Sequence, residues 1–409
     1  MPGDSIRPYL LPAVAAFLLM AGLCGCKGFF PPLNSSGGSG NGGNGGNGGS
    51  GFGGDAIYVG NASNGYLAGF AVASNGDLSV LNNSPYNNGV VATCLTVTPG
   101  NGYLYVGTAT GIYVYAINSD GSISVLNGGS PVAMDVIPTA MQVDYTGNYL
   151  LAAGIGVAAE SQAIGIYQIT PSTGLLTALN GSPLGLYTGL SGNPTLVAPT
   201  AMLITPNNSI VYVSMGALGV QVLTLGPGGG LSTGIGPAIL SPAINSVSPS
   251  DQGLASDPNS RFLFVAEVNT GLRVLNIGNA GALSEIAGSP YPVGTGPTGV
   301  ILDPTGSYVY VANKGSGTIS GFTLNATSGQ LQPIAGSPFN SGGQLPIEMV
   351  TDSSKKFLAV INSGSNGTGG NNDLQLFSFD ATTPGKLDPG STASTGTDPT
   401  NPSSLAATN

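Results

Sequence analysis

The sequence predicts an all-β fold, a seven-bladed β-propeller of four-stranded antiparallel blades. Three observations carry this: a composition suited to short strands, a strand phrase repeated seven times, and complementary half-blades at the ends of the repeat region. The 409 residues include 68 Gly and 30 Pro, are 41% hydrophobic and only 6% charged. That is too apolar for a disordered chain and too rich in glycine for a helical one.

The repeat is clearest from Pro297 to Pro338, which reads PTGVILDPTG, SYVYVAN, KGSG, TISGFTLN, ATSG, QLQPIAGSP. β-Branched and aromatic residues cluster between Gly, Pro and Asn punctuation, as strands between turns require. Strands of the YVYVAN kind begin near Ile57, Tyr103, Tyr149, Ile210, Phe262, Tyr308 and Phe357, at spacings of 46, 46, 61, 52, 46 and 49. Repeats of this period stack into one array. The two long spacings are expected to be loop insertions, at Leu184–Ala198 and Pro237–Pro249.

The innermost strands are expected near Pro138, Pro199, Pro297, Pro346 and Pro402, with Ala92 and Asp251 in the other two blades. Ser-Pro recurs at Ser84-Pro85, Ser130-Pro131, Ser182-Pro183, Ser289-Pro290 and Ser337-Pro338. A proline at the end of an outer strand blunts a free edge where its missing N–H costs least. The repeat region opens with a second strand, AIYVG from Ala56, and ends with an innermost strand, PSSLAAT from Pro402. The last strand is therefore expected to complete the first blade and close the ring, removing two sheet edges.

Ahead of the propeller, Arg7, the apolar run Tyr9–Leu23 and Leu23-Cys24-Gly25-Cys26 have the layout of a secretory signal, too short to span a membrane comfortably. Leu at −3, Gly at −1 and Cys at +1 resemble the lipobox of bacterial lipoproteins, which implies cleavage after residue 25 and a lipid on Cys26. Residues 26–54 then form a Gly/Asn/Ser-rich tether. Its 20 residues from Ser35 to Gly54 reach about 25 Å root-mean-square. The propeller occupies 55–409. These expectations place the protein outside the cytoplasm, in the cell envelope, anchored to a membrane by lipid.

The formal charge is −10 and no stretch concentrates Lys or Arg, which argues against nucleic acid as a partner. There is no His, so the commonest general base and metal ligand are missing, and chemistry falls to carboxylates, Lys, Arg, Tyr or hydroxyls. With Cys24 removed and Cys26 lipidated, Cys94 is the one thiol left. It occupies a small-residue slot and reads as packing. No metal, cofactor or P-loop spacing is present, so no cofactor is expected, and the chain reads as a monomer. Asn371-Asn372-Asp373 is a weak Ca²⁺ signal.

Loops from outer to next inner strand, and from second to third strand, share one face around the channel, called the top here. That face is expected to carry Asp135, Glu160, Asp251, Glu267, Lys314 and Glu348, with Arg273 just inside a third strand. Glu348 stands where other blades carry Ala140, Ala201, Gly253, Gly299, Cys94 and Ser404, a carboxylate in a slot otherwise kept small. A buried acid of this kind is a candidate acid or base. Turns such as Asp303-Pro304-Thr305-Gly306 fall on the opposite face and read as type I turns.

The phrases YVYVAN, GTISGF and AGSP, repeated over residues 55–409, resemble the YVTN-type propellers and the lactonase-like seven-bladed propellers that include 6-phosphogluconolactonases. The resemblance specifies blades rather than active sites; a lactonase reading would use the top-face residues as a candidate lactone site. There Glu348 and Glu267 would be catalytic, and Arg273, Lys314 and Asp251 would bind an anionic sugar lactone. That family includes related enzymes that use a His with Glu and Arg, and this chain has no His to match. The sequence alone therefore favours an envelope-anchored module binding a glycan or protein partner on its top face, with a His-free lactonase as the alternative.

Overall fold

The computed structural model describes residues 53–62, 65–87, 89, 91–158, 161–186, 198–233, 250–364, 373–395 and 402–409. Both expected insertions lie largely outside these residues, as do Cys26, Glu160 and Asn371-Asn372. No helix among the described residues is long and apolar enough to cross a membrane.

Seven antiparallel sheets each run from an inner strand outward in chain order, except the first. Blade 1 takes Pro402–Ala407 as its innermost strand, followed by Asp55–Asn61, Tyr66–Val72 and Leu78–Val80. Blade 2 begins at Ala92–Val97, blade 3 at Val136–Val143, blade 4 at Ala201–Ile204, blade 5 at Ser250–Ser256, blade 6 at Pro297–Leu302 and blade 7 at Gln344–Thr351. Six of the seven second strands start at the residues expected, and the first, Asp55–Asn61, starts two residues before Ile57. The core is split into apolar clusters that lie mostly between neighbouring blades, such as Phe264 and Val274 of blade 5 packed with Val300 and Val309 of blade 6.

The innermost strands carry a bulge at one repeated place. The pairing skips a residue at Thr93, Thr139, Gln252, Thr298, Ile347 and Ser403, each following the Pro, Ala or Asp that opens the repeat. A bulge re-aims a side chain, and here it aims hydroxyls at the next blade. Thr93 Oγ1 donates to the Pro138 carbonyl at 2.7 Å, Thr139 to Pro199 at 2.7 Å, Thr298 to Pro346 at 3.2 Å and Ser403 to Ala92 at 2.7 Å. Thr200 does the same to Asp251 at 2.8 Å. Tyrosine hydroxyls make a second set of links, from Tyr58, Tyr105, Tyr212 and Tyr310 to the carbonyls of Gly121, Gly174, Gly281 and Gly385 in the following blades.

The Ser-Pro phrase does more than end an edge. Ser84, Ser182, Ser289 and Ser337 each accept, through Oγ, the backbone N–H of a third-strand residue: Gly69, Ile166, Val274 and Gly321, at 2.9–3.0 Å. In blades 1, 3 and 6 the outer edge then resumes as a two-residue pairing, for example Phe339–Asn340 against Thr318–Ile319. The phrase is thus a jog within the outer edge, with the hydroxyl filling the interrupted ladder position. Ser130 departs from this. A 3-10 turn over Asn127–Gly129 precedes it, and Asn127 Nδ2 donates to the Ser130 and Pro131 carbonyls instead. Ser337→Ala should lower unfolding stability by about 1 kcal/mol, the size of one net hydrogen bond. Urea denaturation measures it, and an unchanged midpoint would refute the role.

Candidate functional site

Blade 5 carries a row of four charged side chains across its strands. Asp251 on the innermost strand pairs directly with Glu267 on Phe262–Val268. Arg273 follows on Gly271–Ile277 and Glu285 on Leu283–Glu285. The turn that brings the chain from Glu267 to Arg273 depends on Gly271. Its φ is +119°, and a Cβ there would fall 2.3 Å from the Tyr291 carbonyl oxygen.

Asp251 and Glu267 are each 1% exposed and Arg273 is 6% exposed. Glu267 accepts the Thr270 hydroxyl at 2.5 Å, and its Oε1 lies 3.6 Å from Arg273 Nη1. The other side of the guanidinium meets Glu285, Nε to Oε1 at 3.2 Å and Nη2 to Oε2 at 3.3 Å. Ser289 Oγ, already the acceptor for Val274 N–H, donates to Glu285 Oε1 at 2.9 Å. Asp251 is anchored by its backbone, its N–H to the Gly216 carbonyl and its C=O to Thr200 Oγ1. Among the described residues, Asp251 Oδ2 has no hydrogen-bond partner.

Two carboxyls this close and this buried do not both ionise at neutral pH. Burial is the largest cause raising the pKa of Asp251, followed by the charge of Glu267 and the hydrogen bond shared with it; Arg273 opposes them, and the result is pushed up to about 8. The pair therefore holds one proton near neutrality, with Asp251 as its carrier.

A carboxyl whose folded-state value is raised stabilises the fold fully below the ordinary carboxylate range, about 3.9, and loses that contribution as pH rises through about 8. Asp251→Asn keeps position 251 neutral throughout. Thermal unfolding should therefore show wild type losing more stability than the Asn variant between pH 5 and pH 9. Parallel curves would contradict a shared proton.

The same four positions are neutral in the other blades. Blade 6 has Pro297, Asn313, Ser320 and Pro333 there, and blade 2 has Ala92, Thr108, Tyr113 and Val125. The fold builds six blades without these charges, so its geometry does not require them in the fifth.

The structure thus brings together Asp251, Glu267 and Arg273 of the expected residues and adds Glu285. Lys314 begins the second-to-third-strand loop of blade 6, half-buried, and burial lowers its pKa; among the described residues it forms no ion pair. Asp135 accepts the Tyr167 hydroxyl in blade 3. Glu348 lies two blades away from the row. The pairing Glu348–Ile361 confirms its small-residue slot, and its Oε2 accepts the Leu405 N–H at 2.8 Å across the seam where blade 7 meets the closing strand. Cys94 is fully buried beside Gly107, where an added Cβ would sit 2.6 Å from its sulfur, which is a packing role. Asp373 is taken up by the Thr395 N–H and hydroxyl.

Residues 254–401 match the model of a family described as lactonase, 7-bladed beta-propeller. The chain also superposes on solved propellers at low identity. A Bacteroides fragilis 6-phosphogluconolactonase candidate gives a TM-score of 0.66 at 16% identity, covering 87% of this chain and 98% of that one. The periplasmic gluconolactonase of Pseudomonas aeruginosa gives 0.65 at 15%, covering 87% and 99%. A Lactobacillus plantarum protein gives 0.64 at 18%, covering 87% and 100%. At these identities the likeness establishes the shared fold.

Proposed function

We propose that this protein is a lactonase-like hydrolase whose acid–base pair is Asp251 and Glu267. The observation that carries the reading is the buried, directly paired Asp251 and Glu267 carboxyls beside Arg273, set at positions that every other blade fills with neutral residues. A hydrogen-bonding surface for a glycan or protein has no need of such a pair, so the enzymatic reading takes precedence. The family match over residues 254–401, which includes Glu267 and Arg273 and begins just after Asp251, and the gluconolactonase fold of the Pseudomonas protein support it.

In this mechanism Glu267 takes a proton from water as the water oxygen attacks the lactone carbonyl. Arg273 stabilises the negative charge that develops nearby. Asp251 gives its proton to the ring oxygen as the C–O bond breaks, releasing a hydroxy acid. The proton now on Glu267 returns to Asp251 through their shared hydrogen bond, which resets the pair. Because both acids are 1% exposed, the top face must part over Asp251 for substrate to enter, and kcat/KM carries that step.

The lipobox-like segment ending in Cys26 supports an exported, envelope-held enzyme, and hence an unphosphorylated sugar lactone as substrate class. The test is ring opening of gluconolactone, galactonolactone and γ-butyrolactone by residues 55–409, followed by pH-stat. No opening above the spontaneous rate on any of the three would remove the proposal.

A further inference from the structure

Glu285 was not among the residues the sequence pointed to, and its place is unusual. The corresponding outer-strand residues are Val80, Val125, Ala178, Thr233, Pro333 and Pro389. Its two oxygens take Nε and Nη2 of Arg273 side by side, and Ser289 holds it from behind. A two-point clamp on one edge of a planar guanidinium fixes the direction of the other edge. That other edge is Nη1, which faces Glu267.

We propose that Glu285 is a positioning residue that acts through Arg273 to set how firmly the Asp251–Glu267 pair keeps its proton. This rests on the acid–base role given to the pair above. Glu285 is the solvent-reaching end of the row, with its side chain 32% exposed, whereas Arg273 is 7% and Glu267 1%. The clamp also absorbs part of the positive charge that would otherwise favour two ionised carboxylates. With Glu285 in place, Arg273 opposes the raised pKa of Asp251 without cancelling it.

Few other charges compete. The described residues of blade 4 contain no Asp, Glu, Lys or Arg, only Tyr212 as a titratable group, and its hydroxyl is engaged with the Gly281 carbonyl. Blade 6 contributes Lys314 on the top face, and Asp303 with Tyr308 and Tyr310 toward the bottom turn. Within blade 5, Asp257 and Arg261 pair with each other at 2.9 Å in the bottom turn, and Tyr291 packs against the apolar cluster.

The test is infrared titration of the protonated-carboxyl band in residues 55–409, assigned by its disappearance in Asp251→Asn. Glu285→Gln, which keeps the shape and removes the charge, should lower the midpoint of that band by about half a pH unit or more. Glu285→Asp should return it toward wild type. In an Arg273→Lys background, which keeps a charge and loses the fork, the effect of Glu285→Gln should shrink by at least about half. An unchanged midpoint, an upward shift, or an equal shift in the Lys background would each overturn the proposal. The readout needs no substrate, so a protein that opens no lactone but shows these shifts would retain the positioning role while losing the hydrolase reading.

Discussion

Removal of residues 402–409 is expected to abolish cooperative unfolding altogether, where the loss of an ordinary terminal strand would only lower its midpoint. Pro402–Ala407 pairs along Asp55–Asn61 from Ile57–Ala407 to Asn61–Pro402 and forms the inner wall of blade 1. It also holds both neighbouring seams. Glu348 of blade 7 accepts the Leu405 N–H at 2.8 Å, and Ser403 donates to the Ala92 carbonyl of blade 2 at 2.7 Å.

The last two residues rebuild, without a peptide link, the turn that every other blade has. In blade 6, Asp303 N–H bonds to the Tyr308 carbonyl and its carboxylate receives the Ser307 and Tyr308 N–H groups. Asp144, Asp257 and Asp352 repeat this, and Thr98 and Thr205 do it with a hydroxyl. At the closure Thr408 takes that part, its N–H bonding to the Ala56 carbonyl while its Oγ1 accepts the Ala56 N–H at 2.8 Å. Asn409 exchanges two hydrogen bonds with Asn101 of blade 2, at 2.7 and 3.0 Å.

A truncated ring therefore loses one inner wall, two seams and a turn together, and exposes an edge on Asp55–Asn61 that templates aggregation. Equilibrium denaturation followed by circular dichroism should show no sigmoidal transition for residues 55–401. The milder Leu405→Ala, at a side chain 1% exposed, should cost about 2–5 kcal/mol and keep two-state behaviour. A truncated chain that melts like the full one would sink the closure argument.

The blades were legible because strand length, glycine punctuation and β-branched clusters repeat, and a period is visible without coordinates. Phe262, Tyr308 and Phe357 begin their strands where the repeat places them. Less was legible wherever a side chain acts on the next blade. The Thr that follows the opening residue in several blades looks like ordinary strand composition until the bulge turns Thr93 or Thr298 toward a neighbouring carbonyl. Asp303, read as a turn residue, proved to cap the strand that follows it.

Within the site, Asp251 stood out because it replaces a proline, and Glu267 and Arg273 because charges are rare in this chain. Glu285 was missed although a signal existed. Aligning LSV, ISV, LTA, LST, LSE and LQP shows one acid at the third place. Glu348, the acid that looked most informative in sequence, sits in the seam of the ring, since a slot near the axis serves closure as readily as chemistry.

The other large effect concerns the pair itself. If the ring-opening reading holds, Glu267→Gln should lower kcat/KM by about 10²- to 10⁴-fold, the range for losing one positioned base. Asp251→Asn should cost a comparable factor through the leaving oxygen. The two losses should not multiply in the double variant, since either one alone breaks the proton relay between the carboxyls. The wild-type rate should fall as pH rises through about 8, where Asp251 loses its proton, and this falling limb should be absent from the residual rate of Asp251→Asn. Glu348→Gln is the control, because a Gln carbonyl can still accept the Leu405 N–H and leave the seam closed. Its activity should stay within about a factor of two of wild type. A collapse of the rate in Glu348→Gln, with Asp251→Asn unaffected, would move the chemistry from blade 5 to the seam of blade 7.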